Sequence, residues 1–220
     1  MIEAPGESTV VWSHQARITV FLSAMRHFRE RVLAQGWLLD YIGLEDEPEG
    51  HADRFTDRLA RCLQRIRPMR LDVCECGEWQ MQQGIEGCAA AAGVPLHWHA
   101  DSHFLCSRER FARWAGGRRE WRMEHFYREM RREHRVLMDG DQPLGGQWNF
   151  DADNRKAYPR TGPGWIPEPA RFEPDDITRE VMALVRRRFA GHPGSLDHFI
   201  WPVTREQGLQ ALRRFIDERL

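Results

Sequence analysis

The first hundred residues alternate helical and extended patterning, and that alternation restricts the fold more than any other feature of the chain. Over residues 14–35, Ile18, Phe21, Leu22, Met25, Phe28 and Val32 recur at helical spacing, and Arg26, Arg29 and Glu30 take the other face. Ser13 stands where an N-cap belongs and Gly36 where a helix closes. Residues 37–42 read as a strand, and a turn of Glu, Asp, Pro and Gly follows at 45–50. Phe55, Leu59, Cys62, Leu63 and Ile66 mark a second helix that stops before Pro68. Residues 70–75 read as a strand, 78–92 as a third helix closed by Gly93, and 94–99 as a third strand. The order α-β-α-β-α-β with short connections predicts an α/β fold, a Rossmann-like parallel sheet covered by helices. Only Thr9-Val-Val-Trp12 precede the first helix, so the pattern predicts a sheet short of one or two leading strands, with an open edge.

The second half changes character. Ser107 is placed to cap a short helix that runs through Phe111 and Trp114 to Gly116-Gly117. Residues 118–135 hold seven arginines and four glutamates at helical spacing, with Glu124 and Arg128 as an i,i+4 pair. That helix reads either as a solvated face rich in ion pairs or as a phosphate-binding patch of Arg128, Arg131, Arg132 and Arg135 beside Tyr127. Residues 137–156 follow neither period, yet alternate Trp148-Asn149-Phe150-Asp151 after Pro143 and the pair Gly145-Gly146. A solvated linker gains nothing from Trp and Phe, so the stretch predicts an ordered extended segment pinned by its aromatic rings. A Pro/Gly-rich stretch at 157–169 leads to two helices, at 175–189 and 204–220, the second opening on the capping box Thr204-x-x-Gln207. The domain boundaries read as 1–116 for the α/β part, 117–169 for a helix and extended linker, and 170–220 for the closing helices.

Composition removes several classes. The net charge of −1 provides no global field toward nucleic acid or an acidic membrane. No apolar run approaches the roughly 18 residues of a membrane span. The N-terminus has neither the basic nor the apolar region of a secretory signal. Five cysteines are too few and too scattered for a disulfide scaffold, so a reducing cytoplasm is expected. Cys74-Glu-Cys76 and His97-Trp-His99 invite a zinc site on adjacent strands, because strand residues two apart share a face. The alternative is buried cysteines at strand positions and polar histidines opposite Val94, Leu96 and Trp98. A calcium loop starting at Asp151 fails, since Arg155, Lys156 and Gly162 stand where an oxygen ligand, Gly and Glu are required. Phosphate-loop, dinucleotide and nucleophile-elbow motifs are absent, and no acid/base pair stands out.

Longer motifs carry a resemblance. Ser-Ala-Met-Arg-His-Phe at 23–28, Gly77-Glu-Trp79, Phe104-Leu-Cys-Ser107, Phe126-Tyr-Arg-Glu-Met-Arg-Arg132 and Pro143-x-Gly-Gly-x-Trp-Asn-Phe-Asp-x-x-Asn-Arg155 resemble the iron–sulfur bacterial cryptochromes and (6-4) photolyases. The resemblance implies an antenna domain that holds a lumazine, a linker, and a helical domain with FAD and a [4Fe–4S] cluster. Light-driven electron transfer from the flavin would then reverse a DNA lesion. Against that plan, the family's first strand and most of its second are absent here, and the chain stops where the FAD domain begins. The expectation is an antenna-plus-linker piece of a DNA-repair lyase, with no site for FAD or the cluster and no repair activity by itself. The family's antenna pocket maps to His14, Arg17 and Phe21. Its DNA or interdomain contacts map to Tyr127, Arg128, Arg131, Arg132, Trp148 and Asn149, with the Trp148 segment docked on the antenna domain. The alternatives are a binding module that pairs with another chain, or with itself, at the open sheet edge, and the remnant of a degraded gene.

Overall fold

The computed structural model describes residues 1–46, 54–151, 157, 159–162 and 164–219. The turn expected at 45–50 and the end of the 137–156 segment lie partly outside these. The described chain divides into two compact units. The first comprises Met1–Leu71, Gln80–Leu96 and Trp165–Leu220, and the second Asp72–Trp79 and His97–Gly164.

In the first unit a short helix, α1 (Gly6–Thr9), leads into the long α2 (Gln15–Ala34). The cap of α2 is His14, one residue later than the expected Ser13: its Nδ1 accepts from the Ala16 N–H at 3.0 Å. Ser13 is buried, and its carbonyl accepts from His192 Nδ1 at 2.9 Å. Gly36 closes α2 with φ +79°, as the sequence implied. Helix α3 (Phe55–Ile66) follows, then α4 (Trp79–Ala92), whose residues from Gln80 onward belong to this unit. Gly84 lets α4 approach α3 closely, since a Cβ there would stand 2.6 Å from the Thr56 methyl.

Two C-terminal helices complete the unit. In α7 (Asp176–Arg188), the cap Asp175 accepts from the Thr178 N–H at 2.9 Å. In α8 (Arg205–Arg219) the capping box closes both ways: Gln207 N donates to Thr204 Oγ1 at 3.2 Å, and Gln207 Oε1 accepts from Thr204 N at 3.3 Å. The core lies between α2 and α7. Ile18 and Leu22 of α2 meet Val181, Leu184 and Val185 of α7, with Leu44, Phe189 and Leu196 around them. Ala16, Thr19 and Ser23 are the small buried residues that let the two helices approach.

The sheet is smaller than the pattern predicted. Strands β1 (Leu71–Cys74) and β2 (Leu96–His99) form a two-stranded sheet. Leu71 N donates to Pro95 O and Glu75 N to His99 O, so the strands run parallel across the α4 crossover. The expected strand at 37–42 shrinks to one parallel bridge, Ile2 to Ile42. Around it Ile42 N donates to Met1 O at 2.9 Å and Glu3 N to Ile42 O at 2.8 Å. Leu38 is fully exposed and Trp37 two-thirds exposed, so the apolar run that suggested a strand finds no sheet to enter. The first three residues form the short parallel neighbour of Ile42.

The second unit packs α5 (Arg108–Ala115), capped by Ser107 as expected, on α6 (Met123–His134). Helix α6 begins at Met123, later than the expected 118. Phe111, Trp114 and Phe126 stack with ring centroids 4.8–5.7 Å apart. Arg110 of α5 clamps Glu129 and Glu133 of α6, each at 2.6 Å. The hydrogen bond from Arg110 holds the Glu133 carboxyl below its ordinary range. After α6 the chain makes a tight hairpin, β3 (Met138–Asp139) against β4 (Gln142–Pro143), with Gly140 at φ +56° in its turn.

Candidate functional site

Glu3 organises the start of the molecule. Its side chain is fully buried. The carboxylate accepts from Arg26 Nε at 2.8 Å, Arg26 Nη2 at 3.2 Å, Tyr41 Oη at 2.5 Å and the Leu44 N–H at 2.8 Å. Its backbone carbonyl accepts from Arg58 Nη1 at 2.9 Å, and the same nitrogen reaches Gly43 O at 2.7 Å. One acidic residue therefore ties residues 1–4 to α2, to the 40–44 segment and to α3. A buried charge is tolerated only when paired and hydrogen-bonded to this degree.

Burial and the hydrogen bond to Glu3 raise the Tyr41 phenol well above the ordinary range. A phenol raised on folding contributes stability that is complete below the unfolded value and lost as pH rises past it. Stability is therefore expected to fall above about pH 10. Urea midpoints at neutral and alkaline pH test this, and a Tyr41→Phe chain should lose less stability over that interval.

Glu3 also belongs to the lining of a cavity of about 230 Å³. Ile2, Glu3, Ala4, Glu7 and Ser8 line it from the N-terminal segment, and Arg17, Ile18, Phe21, Leu22 and Met25 from α2, with Ser13 between. The floor is apolar, because Ile18 and Leu22 are also core residues. The lining also includes Arg17, the carboxylates of Glu3 and Glu7, and the hydroxyls of Ser8 and Ser13. The Arg17 guanidinium sits 5.6 Å from the centroid of the exposed Phe21 ring. An exposed aromatic ring beside a guanidinium, over an apolar floor, can receive a flat ring that carries polar groups.

Two of the three expected antenna residues, Arg17 and Phe21, thus come together. His14 does not line the cavity. It caps α2, and its ring occupies the space a Cβ would need at Gly194, which sits at φ +92°. The neighbouring loop clasps the same helix end: Gln15 N donates to Pro193 O at 2.9 Å and Gln15 Nε2 to His192 O at 3.1 Å. The lining from Ile2 to Ser8 went unread because no periodicity runs through it. The positions 17, 18, 21, 22 and 25 form one helical stripe, the signal that could have marked the α2 wall.

The second expected group lies on α6 and the segment after it. The Trp148 ring lies 5.3 Å from the guanidinium carbons of Arg128 and Arg131 and 4.6 Å from that of Arg132. The segment is pinned by its tryptophan, as its composition implied, but the dock is the arginine face of α6, where cation–π stacking replaces an apolar seat. Arg128 also pairs with Glu124 at 2.7 Å. Arg131 is buried and donates to Val136 O at 3.1 Å and to Leu137 O. Tyr127 is exposed, with Arg131 5.4 Å from its ring. Asn149 Oδ1 accepts from the Asp151 N–H at 2.9 Å, a local turn. Arg128 and Arg131 are thus committed to structural contacts, and Arg132 is the exposed member of the trio.

The cysteines do not behave as the zinc reading required. Cys74 is exposed, Cys76 half-buried, and all five are free. Burial raises the thiols of Cys62, Cys76 and Cys88, which disfavours thiolate. Among the described residues the one convergent group of possible metal ligands is Asp72, His97 and His99, without a cysteine. The thiols accordingly do not fit a four-cysteine iron–sulfur nest.

Sequence comparison gives the family. The family model for deoxyribodipyrimidine photo-lyase-related protein matches residues 1–201, and the chain belongs to that family. A (6-4) photolyase of Agrobacterium fabrum is 39% identical over all 220 residues, and the chain spans 43% of that relative's length. An uncharacterized protein of Acanthamoeba polyphaga mimivirus is 18% identical over 141 residues, 62% of this chain and 68% of the viral one. Among the described residues no helix is long and apolar enough to cross a membrane.

Proposed function

We propose that this chain is the light-collecting part of a photolyase-type DNA-repair protein, and that the cavity between residues 2–8 and α2 holds its antenna chromophore, a lumazine. The observation that carries the reading is the joint placement of Arg17 and Phe21 over an apolar floor in a member of this family. Phe21 offers a face for the fused rings, Arg17 a charge for their carbonyl oxygens, and Ser8, Ser13 and Glu7 partners for a ribityl chain. The chromophore when bound supplies near-visible absorption. The protein's part is to hold it, orient it and shield one face from water. In this role the excitation serves a photolyase reaction; the Agrobacterium relative is named a (6-4) photolyase.

Titration with 6,7-dimethyl-8-ribityllumazine, followed by fluorescence anisotropy, tests the assignment. Saturable one-to-one binding is expected. Phe21→Ala should weaken it by about tenfold or more, the scale of losing one aromatic stacking platform. His14→Ala should leave the affinity within about twofold, since His14 lies outside the cavity. Equal affinity in the wild-type and Phe21→Ala chains would remove the cavity from consideration.

A further inference from the structure

The exposed face of the β1–β2 sheet carries a second, unrelated constellation. Along both strands exposure alternates, so Asp72 of β1 and His97 and His99 of β2 project to solvent while Leu71, Val73, Leu96 and Trp98 turn inward. The parallel register sets Asp72 level with His97. Three donor atoms then converge. His99 Nε2 stands 2.9 Å from Asp72 Oδ1, His97 Nδ1 stands 3.3 Å from the same oxygen, and the two nitrogens are 3.3 Å apart. The imidazole rings lie nearly perpendicular, with centroids 4.6 Å apart, so each ring aims one nitrogen at the shared point without stacking on the other.

Those spacings match a metal site. Zinc bonds imidazole nitrogen and carboxylate oxygen at about 2.0–2.1 Å, so neighbouring ligand atoms of a tetrahedral site stand about 3.3 Å apart. The three atoms are spaced like one face of such a tetrahedron, and all three residues are exposed. Two histidines and one carboxylate are also a donor set that borderline divalent ions prefer over calcium or magnesium, which take oxygen ligands. We propose that Asp72, His97 and His99 bind one divalent transition-metal ion, zinc above all, at an exposed three-ligand site with one position open to water or an external ligand. The site is independent of the chromophore cavity. It also relocates the metal signal of the sequence: His97-x-His99 supplies two ligands, and the third comes from Asp72 two residues before Cys74.

Isothermal titration of the full chain with zinc chloride decides the matter. One ion per chain is expected. His97→Ala and His99→Ala, at exposed positions where folding does not depend on the side chain, should each lower affinity by at least the about 10–100-fold that loss of an outer partner of a metal ligand costs. A Cys74→Ser/Cys76→Ser chain should bind zinc as the wild type does. Cobalt(II) should give the visible bands of a tetrahedral site with no thiolate charge-transfer absorption. Absence of saturable binding, binding that survives both histidine substitutions, or binding lost in the cysteine variant would each overturn the proposal.

Discussion

Replacing Glu3 by alanine is expected to destabilise the first unit by about 3–5 kcal/mol, the range for removing one partner from a buried ionic network. The loss is large because the carboxylate serves four donor atoms at once. Without it the Arg26 guanidinium, largely sheltered, loses both contacts, Tyr41 loses its acceptor, and the Leu44 N–H is left buried and unsatisfied. Glu3→Gln keeps the shape and one acceptor but loses the charge, and should fall between alanine and wild type. Denaturant unfolding of the three chains gives the comparison. An alanine variant within 1 kcal/mol of the wild type, on the scale of about 0–1 kcal/mol for an exposed pair, would mean that residues 1–4 are not held as described.

Leu184→Ala should cost about 2–5 kcal/mol. Leu184 is 2% exposed and belongs to the core between α2 and α7, with Val181 and Val185, neither of which has any exposed surface. A cavity there cannot collapse easily, because Ile18 and Leu22 are fixed by their own helix and also line the cavity beside residues 2–8. The substitution should therefore weaken chromophore binding as well as stability. Leu212, half exposed on α8, is the control: Leu212→Ala should stay within about 1 kcal/mol. Thermal midpoints of both variants test the contrast.

The parts of this architecture legible in the sequence are those written locally. Helix α2, the Ser107 cap, the Asp175-capped α7 and the Thr204-Gln207 box each follow from residues within one or two turns of one another. The same holds for the His97/His99 pair, since period two alone puts both on one face. What escaped was set by distant chain. Residues 37–42 are apolar enough for a strand, but a strand needs a neighbour, and only Ile2 pairs with Ile42. Glu3 looks like an ordinary terminal carboxylate because its partners stand at 26, 41 and 44. The stripe on α2 announced burial without saying that α7, some 160 residues later, covers it. The cap of α2 fell on His14 rather than Ser13 because the loop at 192–194 draws Ser13 into the interior. In the candidate site, Arg17 and Phe21 were readable through family motifs, whereas the opposing wall from Ile2 to Ser8 carries no pattern. Trp148 was readable as an anchor, but its arginine dock on α6 was not, since a charged helix face gives no sign that it will receive an aromatic ring.

The proposed chromophore seat of this photolyase-family chain lies between residues 2–8 and α2. A crystal soaked with 6,7-dimethyl-8-ribityllumazine tests it most directly. Density for the fused rings is expected against Phe21 and beside Arg17, over Ile18 and Leu22. An empty cavity at saturating ligand, or density for the chromophore elsewhere on the chain, would contradict it.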